Sequence, residues 1–298
     1  MEIDTRFPTR LHTISDAPEP FRSALAESLP SEDPVRLLVH APAFTTGDQR
    51  SPATVLAVTN DGWLVASETE EGVATLEKSD FNNTLFLELT SIFLVGQLKI
   101  SFAAVSTSYS ATITFETVED EVYRQAIDLI LAGIDLALTG ISGKDRSEAS
   151  MFQAWPMKIR NEALRFSPKG QRLLAAIQWP AIFGGSHQQL APAGALLITE
   201  RELVTISEEK NASGESSSAE ELKEKFGGTI TFVPRVRLAD FHVSHQERCD
   251  VLALEVHAAH GEKKLEIIFP SDEEKAVRKA IEQMFLSRGP TNQTIRNN

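Results

Sequence analysis

Leu56-Ala-Val-Thr-Asn-Asp-Gly-Trp-Leu-Val-Ala-Ser-Glu68 aligns without a gap on Leu196-Leu-Ile-Thr-Glu-Arg-Glu-Leu-Val-Thr-Ile-Ser-Glu208. Thr59 falls on Thr199 and Ser67 on Ser207, 140 positions apart in each case. Working upstream, Pro30 and Pro42 fall on Pro168 and Pro180 at a spacing of 138. Downstream, Ile113-Thr-Phe115 falls on Ile267-Ile-Phe269 at 154, and Arg124, Ala126 and Ile127 fall on Arg278, Ala280 and Ile281. The order of matches never breaks while the spacing grows. A unit copied once, whose strands kept their length while loops took insertions, produces that pattern.

The local signals agree between the copies. In the first, 35–39, 55–59, 63–66, 85–89, 92–95, 98–105 and 111–115 are short, β-branched and bounded by turn residues, and are expected to be strands. In the second, 173–177, 195–199, 203–207, 229–232, 239–243, 251–256 and 264–269 repeat the count. Asn60-Asp61-Gly62 is expected to make a hairpin turn in which Asp-Gly supplies positive φ. Each series then changes to helical period. Val122, Ala126, Leu129, Ile130, Gly133 and Ala137 share one predicted face over 119–138, and Val277, Ile281, Met284 and Phe285 share another over 271–286. Acidic first turns, Glu119-Asp120-Glu121 and Asp272-Glu273-Glu274, suit the positive end of a helix dipole. Phe21 to Leu25 and Glu162 to Phe166 read as short amphipathic helices preceding each copy.

The expected organisation is a first domain over 1–140, a linker over 141–155, a second domain over 156–288 and a disordered tail over 289–298. The fold class is mainly β with α (α+β). Each copy is expected to be a seven-stranded small barrel capped by its C-terminal amphipathic helix. Asn211 to Lys225, rich in Ser and Glu, reads as a loop inserted in the second copy.

Residues 1–145 carry 9 Lys and Arg against 22 Asp and Glu, so the chain's net charge of −13 resides in its first half. Such a surface repels phosphate backbones and anionic lipid, which argues against nucleic-acid binding by that half. One cysteine, Cys249, excludes an internal disulfide and points to a reducing, cytoplasmic location. The most apolar helical stretch, Leu129 to Leu138, is too short to cross a bilayer and holds Asp135, so no membrane insertion is expected.

Taken together, the hairpins at 56–65 and 196–204, the later strands ending Leu89-Thr-Ser-Ile92 and Leu238-Ala-Asp-Phe241, and the closing helices resemble the pleckstrin-homology-like superfamily. The likeness is to its divergent bacterial, GRAM-like members, in tandem. The resemblance covers about Phe21 to Leu286 and implies a fold that serves to bind lipids, peptides or partner proteins and rarely catalyses. Inositide-binding members carry a Lys/Arg cluster after the first strand. Here that loop reads Thr45-Thr-Gly-Asp-Gln-Arg50 and Gly184-Gly-Ser-His-Gln-Gln189, and one Arg with one His is too little for a polyphosphorylated headgroup.

Candidate chemistry is sparse. His242, His245, Cys249, His257 and His260 are of metal-ligating type, and a hairpin could bring His245 near His257. On strands, however, residues three apart face opposite ways, and the spacing fits no standard zinc motif. These side chains are expected to be surface groups, with no metal and no cofactor. His245 is the one base that a Cys249 nucleophile could use. Gly140-Ile-Ser-Gly-Lys144 has Leu138 and Asp145 where a phosphate loop needs Gly and Ser or Thr, and reads as linker. Trp155, Lys158, Arg160 and Arg165 form a basic stretch suited to an interdomain contact with the acidic first half. The expected function is non-catalytic binding or scaffolding of a peptide or protein partner. A peripheral lipid sensor is the alternative and a hydrolase the third reading. Strand edges also leave homo-oligomerisation open.

Overall fold

The unbroken apolar runs at 37–41, 54–58 and 62–66 are buried at every position, so these strands are covered on both faces instead of alternating. The computed structural model describes residues 7–29, 34–46, 49–92, 94–135, 151–166, 171–184, 189–208, 227–246 and 248–286. The chain divides into two compact units, Met1–Leu136 with His257–Lys263, and Ala137–Val256 with Lys264–Asn298. The expected linker over 141–150, the Gly140–Lys144 stretch, the insertion at Asn211–Lys225 and the tail lie outside the described residues.

In the first unit, β1 (Thr9–Leu11) precedes helix α1 (Phe21–Ser28). Then come β2 (Leu37–Ala41), a short hairpin of β3 (Phe44–Thr46) and β4 (Gln49–Ser51), and β5 (Thr54–Val58), β6 (Gly62–Glu68) and β7 (Ala74–Asp80). These form an antiparallel sheet ordered β1-β2-β5-β6-β7, with β3–β4 separate. After a 3₁₀ turn at Phe81–Asn83, β8 (Thr84–Ile92), β9 (Val95–Ala104) and β10 (Thr107–Glu116) make an antiparallel meander. A second 3₁₀ turn, Thr117–Glu119, leads into α2 (Glu121–Ile134). Phe21 and Leu25 of α1 pack with Leu38, Val55, Ala57, Leu64 and Ala66 on one face of the first sheet. Burying such a side chain fully contributes about 1.5–3 kcal/mol.

The second unit repeats the series: α3 (Met157–Phe166), β11 (Leu173–Trp179), the short pair β12 (Ile182–Phe183) and β13 (Gln189–Ala191), then β14 (Gly194–Thr199), β15 (Glu202–Glu208) and β16 (Gly227–Pro234). A 3₁₀ turn at Arg235–Arg237, β17 (Leu238–Gln246), β18 (Cys249–Ala258), β19 (Gly261–Pro270), a 3₁₀ turn at Ser271–Glu273 and α4 (Glu274–Leu286) complete the series, residues 257–263 at the β18–β19 end counting with the first unit. The sheets are open meanders, β11-β14-β15-β16 and β17-β18-β19.

Strand registers confirm the duplication pair by pair. Leu37 pairs with Val58 and Ala175 with Ile198; Val58 pairs with Trp63's strand as Ile198 does with Leu203's. From Leu37 to Ala175 the spacing is 138, and from Val58 to Ile198 it is 140. From β8 onward every strand start is displaced by 154, as in Val95 to Cys249 and Thr107 to Gly261. The increase from 140 to 154 thus falls between β15 and β16, where the second copy holds residues 209–226.

Three local expectations are corrected. Ile92 and Val95 end and begin two long strands instead of forming one of their own, and β7 is an additional strand. The buried side of α2 is centred on Tyr123, Ala126, Ile127 and Ile130, not on Val122 and Leu129, because Tyr123 stacks on Phe115 with ring centroids 3.8 Å apart. Finally, the turn at Asn60-Asp61-Gly62 does not use positive φ, which among the described residues occurs only at Gly72, Val105 and Ser106. Thr59 Oγ1 closes it by accepting from the N–H groups of Asp61 (3.3 Å) and Gly62 (3.2 Å). Gly62 is needed for space: a Cβ there would lie 2.2 Å from Ser79 O.

Candidate functional site

The hairpin pairing decides the fate of the histidine cluster. His245 pairs with Asp250 and Gln246 with Cys249 where β17 turns into β18, whereas Val256, just before His257, pairs with Leu238 at the far end. His245 and His257 therefore lie at opposite ends of the β17–β18 hairpin, and the described residues contain no group of three or more metal-ligating side chains. His257 Nε2 instead lies 3.1 Å from Glu262 Oε2. His242 stands mid-strand, opposite Ala253. Cys249 and Asp250 are adjacent on one strand, so their side chains take opposite faces. His245 reaches Asp250 (2.6 Å) while the Cys249 thiol approaches Gln246 Oε1 (4.0 Å), which separates the base from the thiol. Asp250 is buried and also accepts from Ser271 Oγ at 2.8 Å; this is a structural anchor joining β18 to the entry of α4.

Several side chains of the basic stretch have partners in the second unit. Lys158 Nζ donates to Gly227 O (2.8 Å) and lies 3.7 Å from Glu208 Oε1. Trp155 packs on Phe152 (4.8 Å between centroids), the Arg165 guanidinium lies over the Phe166 ring, and Arg160 sits in the first turns of α3.

A concavity of about 510 Å³ lies elsewhere, in the first unit. Two aromatic rings stand behind it, both buried, Trp63 at 3% and Phe102 at 8% exposure. Trp63 of β6 meets Phe102 of β9 edge-on at 5.2 Å, and its indole N–H donates to Thr84 Oγ1 (2.9 Å), which fixes the ring. Thr84 Oγ1 in turn donates to Asp80 O (3.1 Å). The rim is charged, with Asp61 from the β5–β6 turn and Lys78 and Asp80 from β7. Asp80 is held in place because its carboxylate accepts from Asn83 N (2.8 Å) and Nδ2 (3.1 Å), capping the following 3₁₀ turn.

Val105 overhangs this groove. Ala104 pairs with Thr107, so Val105 and Ser106 form a two-residue hairpin turn with φ of 49° and 65°. That geometry favours Asn-Gly; a β-branched residue there costs about 1–2 kcal/mol. Val105 is nonetheless 91% exposed, so no packing in the molecule offsets the strain. The turn is steadied by a bond from Ser106 N–H to His260 O (2.9 Å), His260 being part of the same unit. A second concavity, of about 530 Å³, is lined by Arg50, Pro52, Glu68, Thr69 and Glu70, with no aromatic side chain among them.

The groove joins a charged rim, rigidly backed by two buried aromatic rings, to an exposed apolar tip, a set suited to holding a ligand. Sequence reading placed Trp63 and Phe102 on strands but could not bring them together, since β6 and β9 meet only through the fold. The one local signal was valine at a hairpin tip, where glycine or asparagine is usual. No protein-family model matches the chain, and it has no match among curated proteins.

Proposed function

We propose that this is a non-catalytic binding protein, built from two pleckstrin-homology-like repeats, that holds a peptide or protein partner in the groove of its first repeat. Support for the repeat reading comes from the order β2-β5-β6-β7, β8-β9-β10, helix, which β11-β14-β15-β16, β17-β18-β19 and α4 follow with matching registers. In this reading each pair of open sheets and its helix is a small barrel with a plug. The observation that carries the functional reading is the groove: Asp61 and Asp80 on its rim, the buried Trp63 and Phe102 behind it, and above it Val105, β-branched at positive φ and 91% exposed. Its polar groups hold the fold together, as with Asp80 in its cap, which fits recognition better than turnover. A buried, free Cys249 fits a reducing, cytoplasmic setting. Among the described residues no helix is long and apolar enough to cross a membrane.

A peptide library displayed against the full chain tests this. Retained peptides should bind at least about tenfold more weakly, a loss of about 1.4 kcal/mol, to Asp61→Lys and to Val105→Asn. The second variant should at the same time raise thermal stability, because asparagine suits the turn. Peptides indifferent to both changes, or retention only by anionic vesicles, would refute the proposal, the latter in favour of lipid sensing.

A further inference from the structure

The search for an occupant of the groove leads to the strand that forms its rim. β7 is the last strand of its sheet, paired with β6 in seven consecutive steps from Gly62↔Asp80 to Glu68↔Ala74 without a bulge. We infer that β7 accepts a short, extended, basic segment of a partner protein as an added strand. The inference rests on the partner-binding reading above and specifies the partner's chemistry.

Hydrogen-bond parity shows which groups are on offer. Thr69 N–H donates to Val73 O at one end of the β6–β7 pair, and Phe81 N–H donates to Asp61 O at the other. In an antiparallel ladder such bonded positions alternate, so Thr75, Glu77 and Ser79 turn their backbone groups toward β6. Ala74, Leu76 and Lys78 then point their N–H and C=O groups outward, along the free edge, as does the Asp80 N–H, while the Asp80 C=O already accepts from Thr84 Oγ1.

Two further observations mark this edge as open for a purpose. Its counterpart in the second repeat, β16, is apolar and covered, with Ile230, Phe232 and Val233 buried, while Thr75 to Lys78 of β7 are exposed. Protected edges are short, bulged, or carry charges and proline. β7 is seven residues long with no bulge and no proline, and of its three charged residues Glu77 and Asp80 are acidic and Lys78 basic, so charge protects it least against a basic strand.

Charge selects the partner. Glu70, Glu71, Glu77 and Asp80 flank or lie on the strand, within a half that carries 22 acidic residues against 9 basic. A second copy of this acidic repeat would be repelled. A basic strand is attracted, and main-chain pairing with alternate side-chain contacts is an established recognition mode. Because Lys78, Ser79 and Asp80 also line the groove, a segment laid along β7 runs into it at the Asp80 end, and a basic side chain there meets Asp61 and Asp80 beside Trp63.

The test uses the full chain and a short probe peptide that alternates lysine with threonine or valine. A second version carries N-methyl groups on every other amide. The plain peptide should bind, weaken several-fold as salt is raised, and slow amide hydrogen exchange at Leu76 and Lys78. The N-methylated peptide should bind at least about tenfold more weakly in the register whose donors face β7. Leu76→Pro, which removes one outward donor and spares the bonds to β6, should abolish binding while far-UV circular dichroism is unchanged. Equal binding of plain and methylated peptides, protection elsewhere, or equal binding of an acidic analogue would overturn the inference. Library peptides that need Asp61 and Val105 yet tolerate N-methylation would refute edge pairing and leave the groove reading standing. If no peptide is retained in either experiment, both fall.

Discussion

Thr59 and Thr199 close equivalent turns with the same hydrogen bonds. Thr59 Oγ1 accepts from Asp61 and Gly62, and Thr199 Oγ1 accepts from Arg201 (3.2 Å) and Glu202 (3.0 Å). One step further, Phe81 N–H donates to Asp61 O and Arg235 N–H to Arg201 O, so each 3₁₀ turn is tied back to its hairpin. Thr59→Val or Thr199→Val keeps the shape but leaves two turn N–H groups without this acceptor. Each should cost about 1–2 kcal/mol in urea unfolding, while Thr→Ser should cost less than half as much. A silent Thr199→Val would break the equivalence.

Tyr123 should be a site of gain. Its ring is fully buried against Phe115, its hydroxyl has no hydrogen-bond partner, and burial pushes its ionisation well above the ordinary tyrosine range. Tyr123→Phe keeps the stack and removes an unsatisfied polar atom. Stability should rise by up to about 1 kcal/mol, read as a higher unfolding midpoint at unchanged slope.

Gly133 lies inside α2, where glycine is a poor helix former by about 1 kcal/mol relative to alanine. The Phe81 ring explains it, since a Cβ at Gly133 would sit 2.3 Å from Phe81 Cε2. Gly133→Ala should therefore destabilise by about 1–3 kcal/mol despite better helix propensity. In a Phe81→Leu background, which vacates that space, the same change should cost less or reverse sign. Additive costs would show that Phe81 is not the cause.

His40 is buried on β2 with its ring 6.1 Å from Phe21, and burial holds its pKa below the ordinary 6.5, with Glu68 opposing weakly. The unfolded chain thus binds the proton more readily than the folded one, so stability contributed by neutral His40 is lost as pH falls below about 6.5. Thermal midpoints should drop between pH 7.5 and 5.5, and His40→Gln should flatten that dependence. A slope unchanged by the substitution would assign it to other groups.

By itself the sequence indicated the recurring order of elements, seven of the nine strands β11–β19 and the closing helices, but not the short pair β12–β13. The reason is that unbroken apolar runs and a change of period are local signals that survive without an alignment. β7 escaped because Ala-Thr-Leu-Glu-Lys-Ser-Asp carries no apolar alternation, having an exposed edge to form instead of a core to fill; its buried counterpart β16 was legible for the opposite reason. Gly62 was noticed for the wrong property, since whether a glycine serves φ or space depends on what lies across the sheet, here Ser79. The groove was decided by the tertiary structure alone. Trp63, Asp80, Phe102 and Val105 come from separate strands and a hairpin tip, and only the packing of β6 and β7 against β9 turns four unremarkable residues into one surface.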